Sequence, residues 1–158
     1  MTEQTADAVV RRTVTVAAPV ARAYDVFTSG MASWWPKDTH HVGPTPAEAV
    51  IEPFVDGRCY ARAHDGTETD WGRVLAWEPP SRLVFAWLLT PQWGFEPDPA
   101  LASEVEVRFT ATGEDSTEVV LTHSGFERYA EGGETMRAQV DGAGGWGALL
   151  DLYVSALR

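Results

Sequence analysis

The stretch GETMRAQVDGAGGWGALLDLYVSALR, Gly133–Arg158, decides the fold. Met136, Val140, Ala143, Gly147, Leu150, Val154 and Leu157 recur in alternating steps of four and three, the period of one helix face. Trp146, Leu149 and Tyr153 widen that face, while Arg137, Asp141, Asp151, Ser155 and Arg158 occupy the other, so the apolar arc covers roughly half the circumference. So broad an arc must touch more than one surface. As one rod the segment would be roughly 36 Å long at about 1.5 Å per residue, enough to cross a small domain. Gly142, Gly144, Gly145 and Gly147 weaken it, together costing roughly 3 to 4 kcal/mol relative to Ala. Either packing rescues this defect, with the helix bending or beginning near the glycines, or the glycines let a strand or a ligand approach beside Trp146.

The rest of the chain reads as the surface that this helix covers. Val9–Val16 alternates as a strand, with Val10, Val14 and Val16 on one face and Arg12 interrupting it. Pro19 suits a helix start, and Val20, Ala23, Tyr24 and Phe27 follow at helical spacing until Gly30. A second short helix, Met31–Trp35, ends at Pro36; its adjacent Trp34 and Trp35 point in different directions, so both bury only with structure on two sides. Lys37–Glu48 is an irregular loop carrying His40 and His41. Short strands separated by Asp56-Gly57, Asp65-Gly66 and Pro79-Pro80 come next, through Arg82–Leu89 with Leu83, Phe85, Trp87 and Leu89 on one face. The loop Thr90–Ala102 holds Trp93 and Phe95 and is long enough to be a flap. In Ser103–Ala111, Val105, Val107 and Phe109 point in; in Thr117–Ser124, Val119, Leu121 and His123 share a face. One strand, two helices, about six antiparallel strands and a long helix predict an α+β domain with helices on one face of a curved sheet.

Composition narrows the function classes. A length of 158 residues fits one domain, expected over 9–158 behind a flexible N-terminus at 1–8. The net charge of -11 argues against a phosphate-backbone partner and against anionic membrane surfaces. Cys59 is the only cysteine, which excludes an intrachain disulfide and a cysteine-rich zinc site. Met1–Ala8 lacks the basic flank and apolar run of a signal peptide, and no stretch reaches about 18 apolar residues, so cytoplasmic residence is the default expectation. Neither a metal nor a cofactor is called for: neighbouring His40 and His41 project apart, and the glycines at 142–147 lack the Lys and preceding strand of a phosphate loop.

The joints of this arrangement resemble the helix-grip fold of the START/Bet v 1-like superfamily, SRPBCC, and within it the group named after the activator of Hsp90 ATPase. The matching pieces are Ala17-Ala18-Pro19 to Phe27, Trp34-Trp35-Pro36, Glu52-Pro53 to Asp56-Gly57-Arg58, and Trp71-Gly72-Arg73-Val74 to Pro79-Pro80. Arg82-Leu83-Val84 to Trp87, Ser103 to Phe109, Leu121-Thr122-His123 and Gly145-Trp146 continue the match over nearly the whole chain. Asp56 stands where that pattern has a glycine, and Ala86 where a Thr often precedes the Trp. The resemblance implies a curved sheet wrapped around a long C-terminal helix, with a cavity between them. Such domains bind varied hydrophobic ligands, and a minority are cyclases; the family by itself does not choose among these.

Strand phase suggests the lining of that cavity. Phe85, Trp87, Val107, Phe109, Val119, Leu121 and His123 would face inward from the sheet, opposed by Trp146, Leu150 and Tyr153. This aromatic set with few polar groups suits a small hydrophobic or aromatic ligand, or forms a filled core of the same side chains. His123 is the candidate catalytic residue: it would anchor a ligand oxygen or move protons, or sit hydrogen-bonded to a backbone carbonyl or a neighbouring Tyr. On the strand from Arg58 to His64, phase leaves two alternatives: Cys59, Ala61 and Ala63 inward, which leaves room, or Tyr60, Arg62 and His64 inward, which adds a polar anchor. Cys59 has no activating His in sequence and reads as a buried apolar residue. A cyclase or aromatase-like enzyme using His123, Tyr60 or Tyr153 is the alternative to a binding domain. A third reading is a homodimer or co-chaperone-like module, with Trp93 and Phe95 as interface anchors or, equally, as a lid.

Overall fold

The computed structural model describes residues 9–35, 46–90, 94–129, 131–142 and 145–157. Seven strands form one antiparallel sheet: β1 (Val10–Val16), β2 (Pro46–Ile51), β3 (Arg58–Ala63), β4 (Glu68–Glu78), β5 (Arg82–Trp87), β6 (Ser103–Gly113) and β7 (Ser116–Ser124). The order is β1-β7-β6-β5-β4-β3-β2, a meander from β2 to β7 closed by β1 beside β7. Between β1 and β2 lie α1 (Val20–Phe27) and a 3-10 turn at Met31–Ser33. After β7 come a 3-10 turn at Phe126–Arg128, α2 (Gly133–Asp141) and α3 (Trp146–Ala156). This is the α+β helix-grip fold.

Register shifts at Pro46/Glu48, Cys59/Tyr60, Val74/Ala76 and Ala111/Gly113 bend the sheet, because each extra residue increases local twist. One of them matters for the site. Cys59 pairs with Gly72 and Tyr60 with Asp70, which leaves Trp71 as the bulged residue of β4 and re-aims its side chain. Gly72 is required beside it: a Cβ there would stand 2.7 Å from the Ala86 carbonyl oxygen and 3.1 Å from the Cys59 Cβ.

The expected single C-terminal rod is two helices. α2 ends at Asp141 with Gly142 as its C-cap, and the Gly145 N–H donates to the Gly142 carbonyl at 2.9 Å before α3 begins. A Cβ on Gly145 would run into the carbonyl of Val140, so the break depends on glycine at that position. Arg12, which interrupts the apolar face of β1, has its explanation here: its guanidinium pairs with the Asp141 carboxylate and donates to the Asp141 carbonyl at 3.3 Å. A cation at a helix C-terminus is favourable. The short helix expected at Met31–Trp35 is the 3-10 turn, and Trp34 and Trp35 are both buried. The Trp34 Nε1–H donates to the Val26 carbonyl at 3.0 Å.

α3 and α1 meet over the concave face. The Tyr153 hydroxyl donates to the Ala23 carbonyl at 2.6 Å, and its ring lies 5.2 Å from Phe27 and 5.4 Å from Trp34. Phe109 of β6 reaches up to Tyr24 and Phe27 at 5.0 and 5.8 Å. One contiguous core results.

Candidate functional site

All ten side chains expected to line the concave face, Phe85, Trp87, Val107, Phe109, Val119, Leu121, His123, Trp146, Leu150 and Tyr153, are buried, none more than 3% exposed. Five of them form two groups of rings. Phe109 and Tyr153 pack with Tyr24, Phe27 and Trp34 under α1. Trp87, His123 and Trp146 close on one another, with ring centroids 5.3, 5.4 and 6.1 Å apart.

His123 is the centre of a hydrogen-bonded chain whose direction chemistry fixes. The Trp146 indole can only donate, and its Nε1–H lies 3.0 Å from His123 Nδ1, so that nitrogen is the acceptor and Nε2 carries the proton. His123 Nε2–H therefore donates to Ser103 Oγ at 2.7 Å. The Tyr129 hydroxyl donates to the Leu89 carbonyl at 2.8 Å, leaving its oxygen to accept from the Ser103 hydroxyl at 2.9 Å. Every link has one donor and one acceptor, with the protons all pointing from α3 toward the end of β5. Burial drives the imidazole pKa down to about 3. A second ring proton would face the indole N–H head-on. His123 is thus a neutral ring with both nitrogens occupied.

Ser103 and Tyr129 were not among the residues singled out from the sequence. Ser103 was within reach of that reading, since it lies in phase with Val105, Val107 and Phe109; Tyr129 follows a turn and has no periodic signal. Leu89 in turn forms an antiparallel bridge with Phe95, and the Thr90 N–H donates to the Gly94 carbonyl at 2.9 Å, within the loop expected as a flap. Phe95 is exposed. Trp93, His40 and His41 lie outside the described residues.

The two alternatives for β3 are resolved. Cys59 and Ala61 belong to the buried core, on the inward side, with Ala63 buried in the same phase. Tyr60 lies on the other face between two guanidiniums, Arg58 at 4.2 Å and Arg62 at 5.4 Å from its ring, and its hydroxyl accepts from Arg62 at 2.8 Å. Glu48, Glu68 and Asp70 pair with those arginines. Burial pushes the Cys59 thiol well up, so it stays protonated and unreactive. Beside these small residues, Trp71 stacks on Trp35 with centroids 5.8 Å apart and planes 7° from parallel. Trp71 also contacts Phe85 and Trp87, and Trp35 contacts Trp146, so the pair continues the aromatic wall toward β2 and β3. Among the described residues no group of three His, Cys, Asp or Glu side chains is arranged to hold a metal ion, and no helix is long and apolar enough to cross a membrane.

A curled antiparallel sheet gripping a C-terminal helix, with an apolar aromatic interior, defines a helix-grip protein. Residues 17–157 match the model of the activator of Hsp90 ATPase homolog 1-like family, and the chain belongs to that family. No curated protein matches it. Among solved structures it is similar to an anthrahydroquino-γ-pyrone synthase determined in complex with a ligand, at 38% identity over 94% of this chain and 96% of that one, TM-score 0.66. It is also similar to CalC, a self-sacrificing resistance protein from Micromonospora echinospora, at 26% identity over 94% and 93% of the two chains, TM-score 0.66. A protein from Mesorhizobium loti, 21% identical over 94% and 96%, TM-score 0.65, shares the fold.

Proposed function

We propose that this protein binds a small, flat, hydrophobic aromatic molecule between the concave face of the sheet and the C-terminal helix, in the cytoplasm. The observation that carries the reading is the change in side-chain size along that face. Trp87, His123 and Trp146 close on one another, whereas the neighbouring strands β2 and β3 carry Ala49, Cys59, Ala61 and Ala63, only methyls and a thiol, with Cys59 paired beside the bulge that holds Trp71 against Trp35. Large flat walls with a floor of small side chains suit a planar guest, which gains dispersion and hydrophobic contact without needing many polar partners. The likeness to a synthase of a polycyclic pyrone supports the same ligand class.

Native mass spectrometry and thermal shift with hydroxyanthraquinones, flavones and fatty acids test it. Binding and stabilisation by the planar compounds, reduced in Ala61→Phe, are expected. Stabilisation by none of them would remove the proposal.

A second reading, closure of a polyketide-type ring, draws support from that synthase at 38% identity. In it the walls fold a reactive chain into place, the contribution of proximity. The side chains considered for proton transfer are otherwise engaged: His123 in its chain, Tyr60 under Arg62 on the far face, and Tyr153 on the Ala23 carbonyl. Incubation with an anthrahydroquinone bearing an open side chain, followed by mass spectrometry, tests for ring closure; recovery of unchanged substrate would leave binding alone.

A further inference from the structure

A groove with a cavity volume of about 320 Å³ lies between the exposed side of α1 and the β4–β5 turn. Ala21, Asp25 and Ser29 come from α1 and the residues after it, Trp77, Pro79 and Pro80 from the turn region. Tyr24 and Thr28 form its base, and both are engaged inward: the Tyr24 hydroxyl donates to the Arg82 carbonyl at 3.0 Å and the Thr28 hydroxyl to the Tyr24 carbonyl at 2.8 Å. Trp77 is partly exposed, with its ring centroid 5.3 Å from that of Tyr24.

The charge of this groove is one-sided. Asp25 makes no ion pair among the described residues, whereas the neighbouring Glu78 pairs with Arg82 at 3.2 Å. The groove thus combines a carboxylate without an ion pair among the described residues, two aromatic rings and two proline rings on a chain of net charge -11. Aromatic faces and a carboxylate together favour a cation carried on an apolar body, through cation–π attraction and Coulomb attraction at once. The net charge of the protein draws such a ligand in. The volume is at the small end of ligand sites, which run from about 300 to 1,000 Å³.

We propose that this groove is a second binding site, for a small organic monocation: a protonated amine on an apolar ring body of about a dozen heavy atoms. Phenethylammonium is the probe and 2-phenylethanol its nearly isosteric neutral control, followed by 1H–15N NMR on the whole chain. Phenethylammonium shifts the Asp25 and Ser29 amides and the Trp77 indole, with a Kd on the order of 1 mM. The alcohol binds at least about five-fold more weakly, and Asp25→Asn, at an exposed position that leaves the fold intact, lowers ammonium affinity by about the same factor, as does 0.5 M salt. Equal binding of alcohol and ammonium, an Asp25→Asn variant with unchanged affinity, or shifts confined to other residues would each overturn the proposal.

Discussion

The indole N–H of Trp146 donates to Nδ1 of His123 across 3.0 Å, and this bond fixes the histidine as a neutral ring. It joins the first turn of α3, just after Gly145, to β7. The bonds onward through Ser103 and Tyr129 carry the same fixation to Leu89, at the foot of the flap. α3, the sheet and the segment that follows β5 are therefore joined by one directed chain.

Its first consequence is a pH dependence of stability. The His123 pKa is held at about 3 in the fold against an ordinary value near 6.5. Between those values the unfolded chain binds the extra proton, so the contribution is complete above pH 6.5 and is lost as pH falls. Linkage gives a loss of about 2 kcal/mol between pH 7 and pH 5 from this group alone. Urea unfolding should show wild type losing about that much more than His123→Gln over the interval. Parallel profiles would place the effect elsewhere.

Breaking the chain in the middle should cost more than one ordinary hydrogen bond. Ser103→Ala leaves the His123 Nε2–H without an acceptor and the Tyr129 oxygen without a donor in a buried site, a loss of about 2 to 3 kcal/mol. Hydrogen exchange at the Thr90 and Glu96 amides, which donate to the Gly94 and Leu88 carbonyls, should quicken in the same variant. An unchanged free energy of unfolding would show that the chain contributes nothing to stability.

Two neighbouring glycines should respond in opposite ways. Gly145→Ala forces a methyl against the Val140 carbonyl and should destabilise by about 3 kcal/mol or more. At Gly147, inside α3, a methyl meets nothing nearer than the Arg12 Nε at 3.7 Å, so Gly147→Ala should stabilise by about 0.5 to 1 kcal/mol. Thermal denaturation of the two variants distinguishes the signs.

Asp56 is the one described residue other than glycine with positive φ, at 71°. It stands where the family pattern has a glycine, and the backbone explains why. Asp56→Gly should stabilise by up to about 1 kcal/mol, while Asp56→Val should destabilise by more, as measured by chemical unfolding. A stabilised valine variant would rule out backbone strain as the reason.

The strands β5 to β7 were legible because their inward positions alternate without interruption: Leu83, Phe85 and Trp87; Val105, Val107 and Phe109; Val119, Leu121 and His123. The strand between Asp65-Gly66 and Pro79-Pro80 was expected and is β4, but its inward face was not legible, since its bulges at Trp71 and Leu75 shift the phase twice within one strand, and Trp71 went unassigned to the site. The helical stripe through Gly133–Arg158 kept its period across the break because α2 and α3 each bury a stripe of their own. Periodicity therefore reported two helices as one. The direction of β3 was undecidable from alternation, as Tyr60 is buried too, covered on the far face by Arg58 and Arg62. The partners of His123 come from separate segments, and only the assembled sheet brings them together.

The central claim is that a planar aromatic guest lies on the small-residue floor of β2 and β3 beside Trp35 and Trp71. Methyl-labelled alanine NMR with a bound hydroxyanthraquinone tests it most directly. Nuclear Overhauser contacts from the guest to the Ala49, Ala61 and Ala63 methyls are the predicted result; contacts confined to Ala21 on the outer side of α1, or none at all, would contradict it.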